Sequence, residues 1–217
     1  MTSRRIWLAA AAAAALGGNA VRAATGSDAL RRFVAETRSA SGRFTQRLTD
    51  KKGDALDVPA EGTFGFQRPG LFAWRTEKPF VQEIVSDGQV ARLWDRDLNQ
   101  VTVKSLSGAV TAAPAALLFG DAKALHAFHL TESPRRDAGA VAAVRAVPKK
   151  DDAAFSEVTV GFDAAGLPAF MVLADHFGTV TTLTFTDVKK NPALTAADFA
   201  LHAPADADIL EDRTGNF

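Results

Sequence analysis

Short segments of alternating apolar and polar residues constrain the fold more than any other feature of this sequence. Val158, Val160 and Phe162, for example, alternate with polar or small residues, as expected of a strand with one dry face. Glycine, proline, asparagine or aspartate separates most of these segments, which predicts an antiparallel meander. The predicted strands are residues 42–48, 61–67, 71–76, 80–86, 90–95, 100–104, 127–132, 141–147, 155–162, 169–174 and 179–187.

Helical patterns occur before and within this series of strands. In residues 27–40 apolar side chains recur at helical spacing, with Ser27 or Asp28 placed to cap the helix. Residues 112–118 and 121–126 are rich in alanine and leucine. We therefore predict a mainly β (α+β) fold, in which helices cover the apolar face of a single strongly curved antiparallel sheet. Period-two matching does not distinguish a curved half-barrel from a sandwich.

The N-terminal residues have the pattern of a cleavable signal peptide. Arg4 and Arg5 precede an apolar run over residues 6–16, and Val21 and Ala23 occupy the small-residue positions before a cleavage site. The run is shorter than the roughly twenty residues that a membrane-spanning helix needs. We predict cleavage after Ala23. The arginine pair also approximates a twin-arginine export signal, so the export route stays open.

These features give a signal peptide over residues 1–23 and one domain over residues 24–217. The chain has no cysteine, so neither a disulfide nor a thiol for lipid attachment is available. We expect a soluble, monomeric protein in the periplasm. Because the formal net charge is zero, nucleic acid is not an expected partner.

The sequence lacks the motifs of the common catalytic sites. It contains no phosphate-binding loop, no G-x-S-x-G elbow and no H-E-x-x-H helix. His126 and His129 are three positions apart, but they straddle a predicted change from helix to strand and have no third ligand nearby. We therefore expect no enzymatic activity, no metal and no cofactor.

A set of ordered motifs resembles the periplasmic lipoprotein carrier family LolA. The resemblance covers nearly the whole chain after the signal peptide. Its motifs are F-T-Q at 44–46, G-T-F at 62–64, R-P-G-L-F-A-W at 68–74, I-V-S-D-G at 84–88, L-W at 93–94 and Q-V-T at 100–102. Gly70 departs from the polar residue expected there, and residues 89–92 form a slightly longer segment than usual.

The resemblance implies an incomplete β-barrel with helices as a lid over an apolar cavity for acyl chains. It implies outer-membrane lipoproteins as cargo, received from an ATP-driven inner-membrane transporter (LolCDE-like) and passed to an outer-membrane receptor (LolB-like). A shielded cavity fits the physics, because exposing an acyl chain to water costs about 0.8 kcal/mol for each methylene. The departures leave open a related carrier of another lipid or lipid-linked cargo.

The resemblance also assigns roles to individual residues. Arg68 holds the empty cavity closed by hydrogen bonds to carbonyls of the covering helices, although an exposed turn arginine remains an alternative. Phe72 lies near the mouth and the transporter contact. For each cavity candidate, ordinary core packing is an equal alternative. The candidates for the cavity, its mouth and its lid are Phe64, Phe66, Leu71, Phe72, Trp74, Ile84, Val85, Leu93, Trp94, Leu117, Leu118 and Phe119.

Overall fold

The computed structural model describes residues 25–105, 114–120, 122–150 and 155–212, and within them twelve strands form one curved, open sheet. The strands are β1 (Ser39–Thr49), β2 (Ala60–Gln67), β3 (Leu71–Lys78), β4 (Gln82–Asp87), β5 (Val90–Asp95), β6 (Gln100–Ser105), β7 (Phe128–Glu132), β8 (Ala142–Pro148), β9 (Glu157–Phe162), β10 (Pro168–Ala174), β11 (Val180–Lys190) and β12 (Asp208–Asp212). The predicted fold class is confirmed. The predicted signal peptide, residues 1–23, lies outside the described residues.

Two antiparallel meanders make up most of the sheet. The order across the sheet is β12-β6-β5-β4-β3-β2-β1-β11-β10-β9-β8-β7. Strand β1 joins the two halves, because Phe44 lies opposite Gly62 of β2 on one side and opposite Phe185 of β11 on the other. The predicted segments coincide with β1 to β11 to within a few residues. Strand β12 was not predicted, and it pairs in parallel with β6 at the edge of the sheet.

The sheet has two faces with different coverings. We call the face that carries Phe64 the inner face and the face that carries Ala73 the outer face. The inner face forms the main core with two helices, α1 (Gly26–Glu36) and α2 (Pro114–Phe119). Directly opposed residues on neighbouring strands point to the same face, so the pairing register assigns the other side chains.

Helix α1 closes part of the inner face with an apolar stripe of Leu30, Phe33 and Val34, all buried. Its N-cap is Thr25, whose side chain accepts a hydrogen bond from the amide of Asp28. The prediction of Ser27 or Asp28 as the cap was therefore wrong. The helix begins one residue earlier than the pattern indicated, because the Thr25 hydroxyl already satisfies a first-turn amide.

Residues 112 and 113 of the predicted second helix lie outside the described residues, and α2 is followed by a structure different from the one predicted. Helix α2 ends at Phe119, and Ala124–Ala127 forms a single 3-10 turn instead of a regular helix. The turn leads directly into β7, whose extended backbone begins at Phe128. A further helical turn is therefore prevented by the pairing of β7 with β8.

Residues 191–207, here called the C-terminal segment, cross the outer face before β12. Phe199 packs against Ala73 and Val85 on the outer face. Arg75 donates hydrogen bonds of 3.0 and 2.9 Å to the carbonyl oxygens of Asp198 and Ala200. Within the described ranges, none of the helices has the length and apolar character needed for a membrane crossing.

Candidate acyl-chain site and its lid

Aromatic side chains of β2 and β3 form the centre of the inner face. Phe64 lies opposite Trp74 and Phe66 lies opposite Phe72, so all four point to the same face. Phe64 and Phe66 are buried, whereas Phe72 and Trp74 are only partly buried. The structure therefore brings four of the predicted residues together as one apolar surface.

Phe119 of α2 covers this surface. Its ring centroid lies 5.8 Å from that of Phe64, 5.1 Å from that of Phe66 and 5.0 Å from that of Phe72. The preceding Leu117 and Leu118 have no exposed surface. The space beneath the sheet is thus filled by side chains of α2, and an acyl chain could occupy it only after α2 had moved.

Arg68, in the turn between β2 and β3, connects both helices to the sheet. Its guanidinium donates hydrogen bonds to the carbonyl oxygen of Gly120 at 2.7 Å, to that of Leu118 at 2.6 Å and to that of Thr37. Thr37 is the C-cap of α1, while Leu118 and Gly120 lie at the end of α2. A planar guanidinium can reach several carbonyls at once, and its charge is favourable at helix C-termini. Arg68 is therefore not an exposed turn residue.

Two more predicted residues extend the inner face toward its open side. Ile84 of β4 lies opposite Trp74, and Leu93 of β5 lies opposite Ile84, so both share the face of Trp74. Both remain partly exposed. The apolar inner surface therefore continues beyond the area covered by Phe119.

Three of the predicted cavity residues lie on the outer face, and their assignment was wrong. Leu71 and Val85 pack with Phe199 under the C-terminal segment. Trp94 lies opposite Glu83, which shares the face of Val85. Because the C-terminal segment buries this face as well, apolar residues occupy both sides of β3 to β5.

A depression of about 480 Å³ also lies on the outer face, between the sheet and the C-terminal segment. Arg43, Thr63, Arg75, Leu194 and Asp198 contribute to its wall, and Phe64, which belongs to the inner face, also borders it. It lies on the opposite face of the sheet from Phe119, and charged side chains line it. This depression is therefore not the predicted acyl-chain cavity.

Sequence reasoning missed two residues of the site. Phe44 of β1 stacks on Trp74 with ring centroids 3.7 Å apart, and the alternation of β1 could have identified it. Glu132 of β7 binds the start of α1, where its carboxylate accepts hydrogen bonds from the amides of Gly26 and Ser27 and from the Ser27 hydroxyl. No local pattern reveals this second contact, because it joins residues far apart in the chain.

The electrostatic state of Glu132 follows from these contacts. Burial raises the pKa of the Glu132 carboxyl, but the hydrogen bonds from Ser27 and Gly26 outweigh it and hold the pKa below its usual value. The ionised carboxylate therefore faces the first turn of α1, where negative charge is favourable.

The two histidines that were considered as metal ligands lie apart from this site. His126 is in the 3-10 turn and His129 is on β7. Among the described residues, no group of three or more histidine, cysteine, aspartate or glutamate side chains could hold a metal ion.

Comparison with known proteins gives a consistent family assignment. Residues 35–202 match the family model of the outer membrane lipoprotein carrier protein LolA. The chain is 41% identical over 190 residues to the outer-membrane lipoprotein carrier protein of Cupriavidus pinatubonensis, covering 87% of this chain and 88% of the relative. It is 38% identical over 184 residues to the protein of the same description from Bordetella avium, covering 85% and 86%.

Among solved structures, an uncharacterised conserved protein from Thermus thermophilus has a similar fold. The TM-score is 0.53 at 15% identity, and the match covers 85% of this chain and 96% of the other. At this identity the likeness concerns the fold alone.

Proposed function

This chain belongs to the outer-membrane lipoprotein carrier family LolA, and on that premise we propose that it shields the acyl chains of lipoproteins between two membranes. The observation that carries the proposal is the set of hydrogen bonds from Arg68 to carbonyls of both covering helices. They hold helices over an apolar surface that would otherwise be exposed. Such a surface is what an acyl chain requires in water.

Helix α2 occupies the place of the cargo in the closed state. Phe119 contacts the rings of Phe64, Phe66 and Phe72, which would line an acyl chain once α2 had moved. An acyl chain gains about 0.8 kcal/mol for each methylene that it buries, so a chain of about sixteen carbons gains roughly 12 kcal/mol, which can offset the displacement of Leu117, Leu118 and Phe119. When α2 returns to its closed position, it competes with the acyl chain for the same apolar surface and so favours release.

We propose that α2 moves while α1 stays in place. The amides of Gly26 and Ser27 are bound by Glu132 at one end of α1. At the other end, the side-chain amide of Asn191 donates to the carbonyl oxygen of Glu36, whose carboxylate also pairs with Lys190. With its two ends held by different strands, α1 acts as a fixed wall of the site.

A carrier of this kind needs a donor and an acceptor. The proposal includes an ATP-driven transporter (LolCDE-like) in the inner membrane, an outer-membrane receptor (LolB-like) and a periplasmic location after cleavage at Ala23. Binding and release require no covalent bond to be made or broken, so no residue is proposed as catalytic. Directionality comes from successive partners that bind the cargo more tightly.

The test is release of lipoproteins from spheroplasts by the purified mature chain. We expect lipoproteins to appear in the soluble fraction as a one-to-one complex. Phe72→Glu, which places a charge among the rings, should abolish release, whereas Phe177→Glu is a matched control because Phe177 is 92% exposed on a hairpin turn. Recovery of a different lipid with no lipoprotein would replace the proposed cargo.

A further inference from the structure

Within the described part of the chain, the edge of the sheet formed by β7 has backbone groups that no neighbouring strand pairs. β7 is the last strand in the sheet order, and it pairs with β8 alone among the described strands. The amide of Lys149 donates to the carbonyl oxygen of Ala127, and the amide of Ser133 donates to that of Ala143. In an antiparallel ladder this pattern directs the backbone N–H and C=O of Leu130 away from β8. A strand could therefore be added at this edge.

A pocket of about 280 Å³ lies beside this edge. Its apolar wall consists of Leu125, Phe128 and Leu130. The volume lies just below about 300 Å³, which is the lower limit for typical small-molecule sites. It suits one or two side chains of a peptide. The pocket can therefore anchor an apolar side chain of a segment that lies along β7.

The rim of the same pocket is basic. Arg31, His126, His129 and Lys149 line it, and none of the lining residues that the structure describes is acidic. The chain as a whole has zero formal net charge, so this is a local concentration of positive charge. Arg31 has an ion pair with Asp28, but at 3.9 Å with both side chains more than half exposed the pair is weak. The rim therefore favours acidic side chains in whatever binds there.

From these features we infer that the β7 edge and its pocket bind an acidic peptide segment in extended conformation, with one apolar side chain in the pocket. The peptide backbone pairs with Leu130, while acidic side chains meet Arg31 and Lys149. An anionic lipid headgroup could pair with the positive charge, but it has no peptide backbone to form hydrogen bonds with the strand edge. The inference is independent of the proposed acyl-chain function, because none of the described residues that line this pocket is among the rings that Phe119 contacts.

The test uses a short synthetic peptide of alternating glutamate and leucine, capped at both ends, without any lipoprotein. Its control has lysine in place of glutamate. We expect the acidic peptide to bind the mature chain at least about tenfold more tightly at low salt, and this preference to shrink as salt screens the charges. Hydrogen exchange at the Leu130 amide should slow when the peptide is bound, because the amide gains a partner.

Matched substitutions separate this site from the general charge of the protein. Arg31→Gln and Lys149→Gln should each weaken binding about threefold, as expected for rim charges. Their neighbours Arg32→Gln and Lys150→Gln change the net charge equally and should leave the affinity unchanged. Equal binding of both peptides, equal effects of all four substitutions, or unchanged exchange at Leu130 would overturn the inference. The inference would also be overturned if the protein bound phosphatidylglycerol vesicles through Arg31 and Lys149 but did not bind the acidic peptide.

Discussion

The carboxylate of Glu132 accepts a hydrogen bond of 2.6 Å from the amide of Gly26, across 106 residues of sequence. A Cβ atom added at Gly26 would lie 2.1 Å from the carbonyl of Ala143, so the helix start also lies directly against the backbone of β8. The start of α1 is therefore fixed both by charge and by close contact. This arrangement supports the proposal that the moving part of the lid is α2.

Substitution Glu132→Gln should loosen the start of α1 in a pH-dependent way. Because the folded state lowers the pKa of Glu132, its stabilising contribution is complete above the usual carboxyl pKa and is lost as the pH falls through the folded value. Because Glu132 is exposed to solvent, which screens its charge, we expect the variant to lose only about 0.5 kcal/mol of unfolding free energy at neutral pH. The difference from the unsubstituted protein should shrink below about pH 4, as measured by urea unfolding at a series of pH values.

Glu77→Gln is the control for this prediction, because Glu77 makes a half-exposed surface pair with Arg43. Such pairs contribute little, so the unfolding free energy should hardly change. A difference between Glu132→Gln and the unsubstituted protein that stays constant from neutral to acidic pH would show that charge is not the cause.

The strands were predictable because alternation is a local property. In β9, Val158, Val160 and Phe162 share a face in the sequence pattern and in the structure. The resemblance also placed Arg68 correctly at the helix carbonyls. The alternation depends on a few neighbouring residues, and the position of Arg68 follows from a short contiguous motif.

The errors come from contacts between distant parts of the chain. Strand β12 contains only Ile209 and Leu210 as apolar residues, and both are exposed, so alternation gives no signal there. Alternation correctly separates Leu71 from Phe72, but it does not reveal that Phe199 arrives to bury the outer face. Apolar residues on that face were therefore mistaken for cavity residues.

Substitution Arg68→Leu should leave the protein folded but impair release of its cargo. The change removes three charge-assisted hydrogen bonds, of which the two to Leu118 and Gly120 exist only while α2 is closed. Each of these two is worth roughly 1.5 kcal/mol, so the ratio of closed to open protein should fall by about a hundredfold. Cargo should bind more tightly and pass more slowly to outer-membrane receptor vesicles, as followed by transfer of a labelled lipoprotein.

Arg68→Lys separates charge from geometry in the same transfer assay. Lysine keeps the positive charge but lacks the planar fork, so it should restore only part of the transfer rate. Transfer by Arg68→Leu at the rate of the unsubstituted protein would remove Arg68 from the mechanism.

Substitution Phe119→Ala should increase affinity for acyl chains. The phenyl ring fills the space against Phe64, Phe66 and Phe72, so its removal leaves an apolar gap that a fatty acid can enter without displacing it. We expect about a tenfold tighter binding of a fluorescent fatty acid, and a loss of about 2 kcal/mol in unfolding free energy. Leu98→Ala is the control, because Leu98 is 68% exposed in a distant turn. Unchanged fatty-acid affinity of Phe119→Ala would show that acyl chains enter elsewhere.

Single introduced cysteines can test which face of the sheet contacts the cargo, since the chain contains no cysteine of its own. Ile84 and Leu93 point to the inner face, whereas Val85 and Trp94 point to the outer face. With a lipoprotein bound, the thiols of Ile84→Cys and Leu93→Cys should react more slowly with a maleimide, because an acyl chain covers them. The thiols of Val85→Cys and Trp94→Cys should react at the same rate with and without cargo, because both positions are buried on the outer face, where Val85 packs under the C-terminal segment. Protection of the second pair by cargo would place the acyl chain on the outer face and contradict the assignment made from the pairing register.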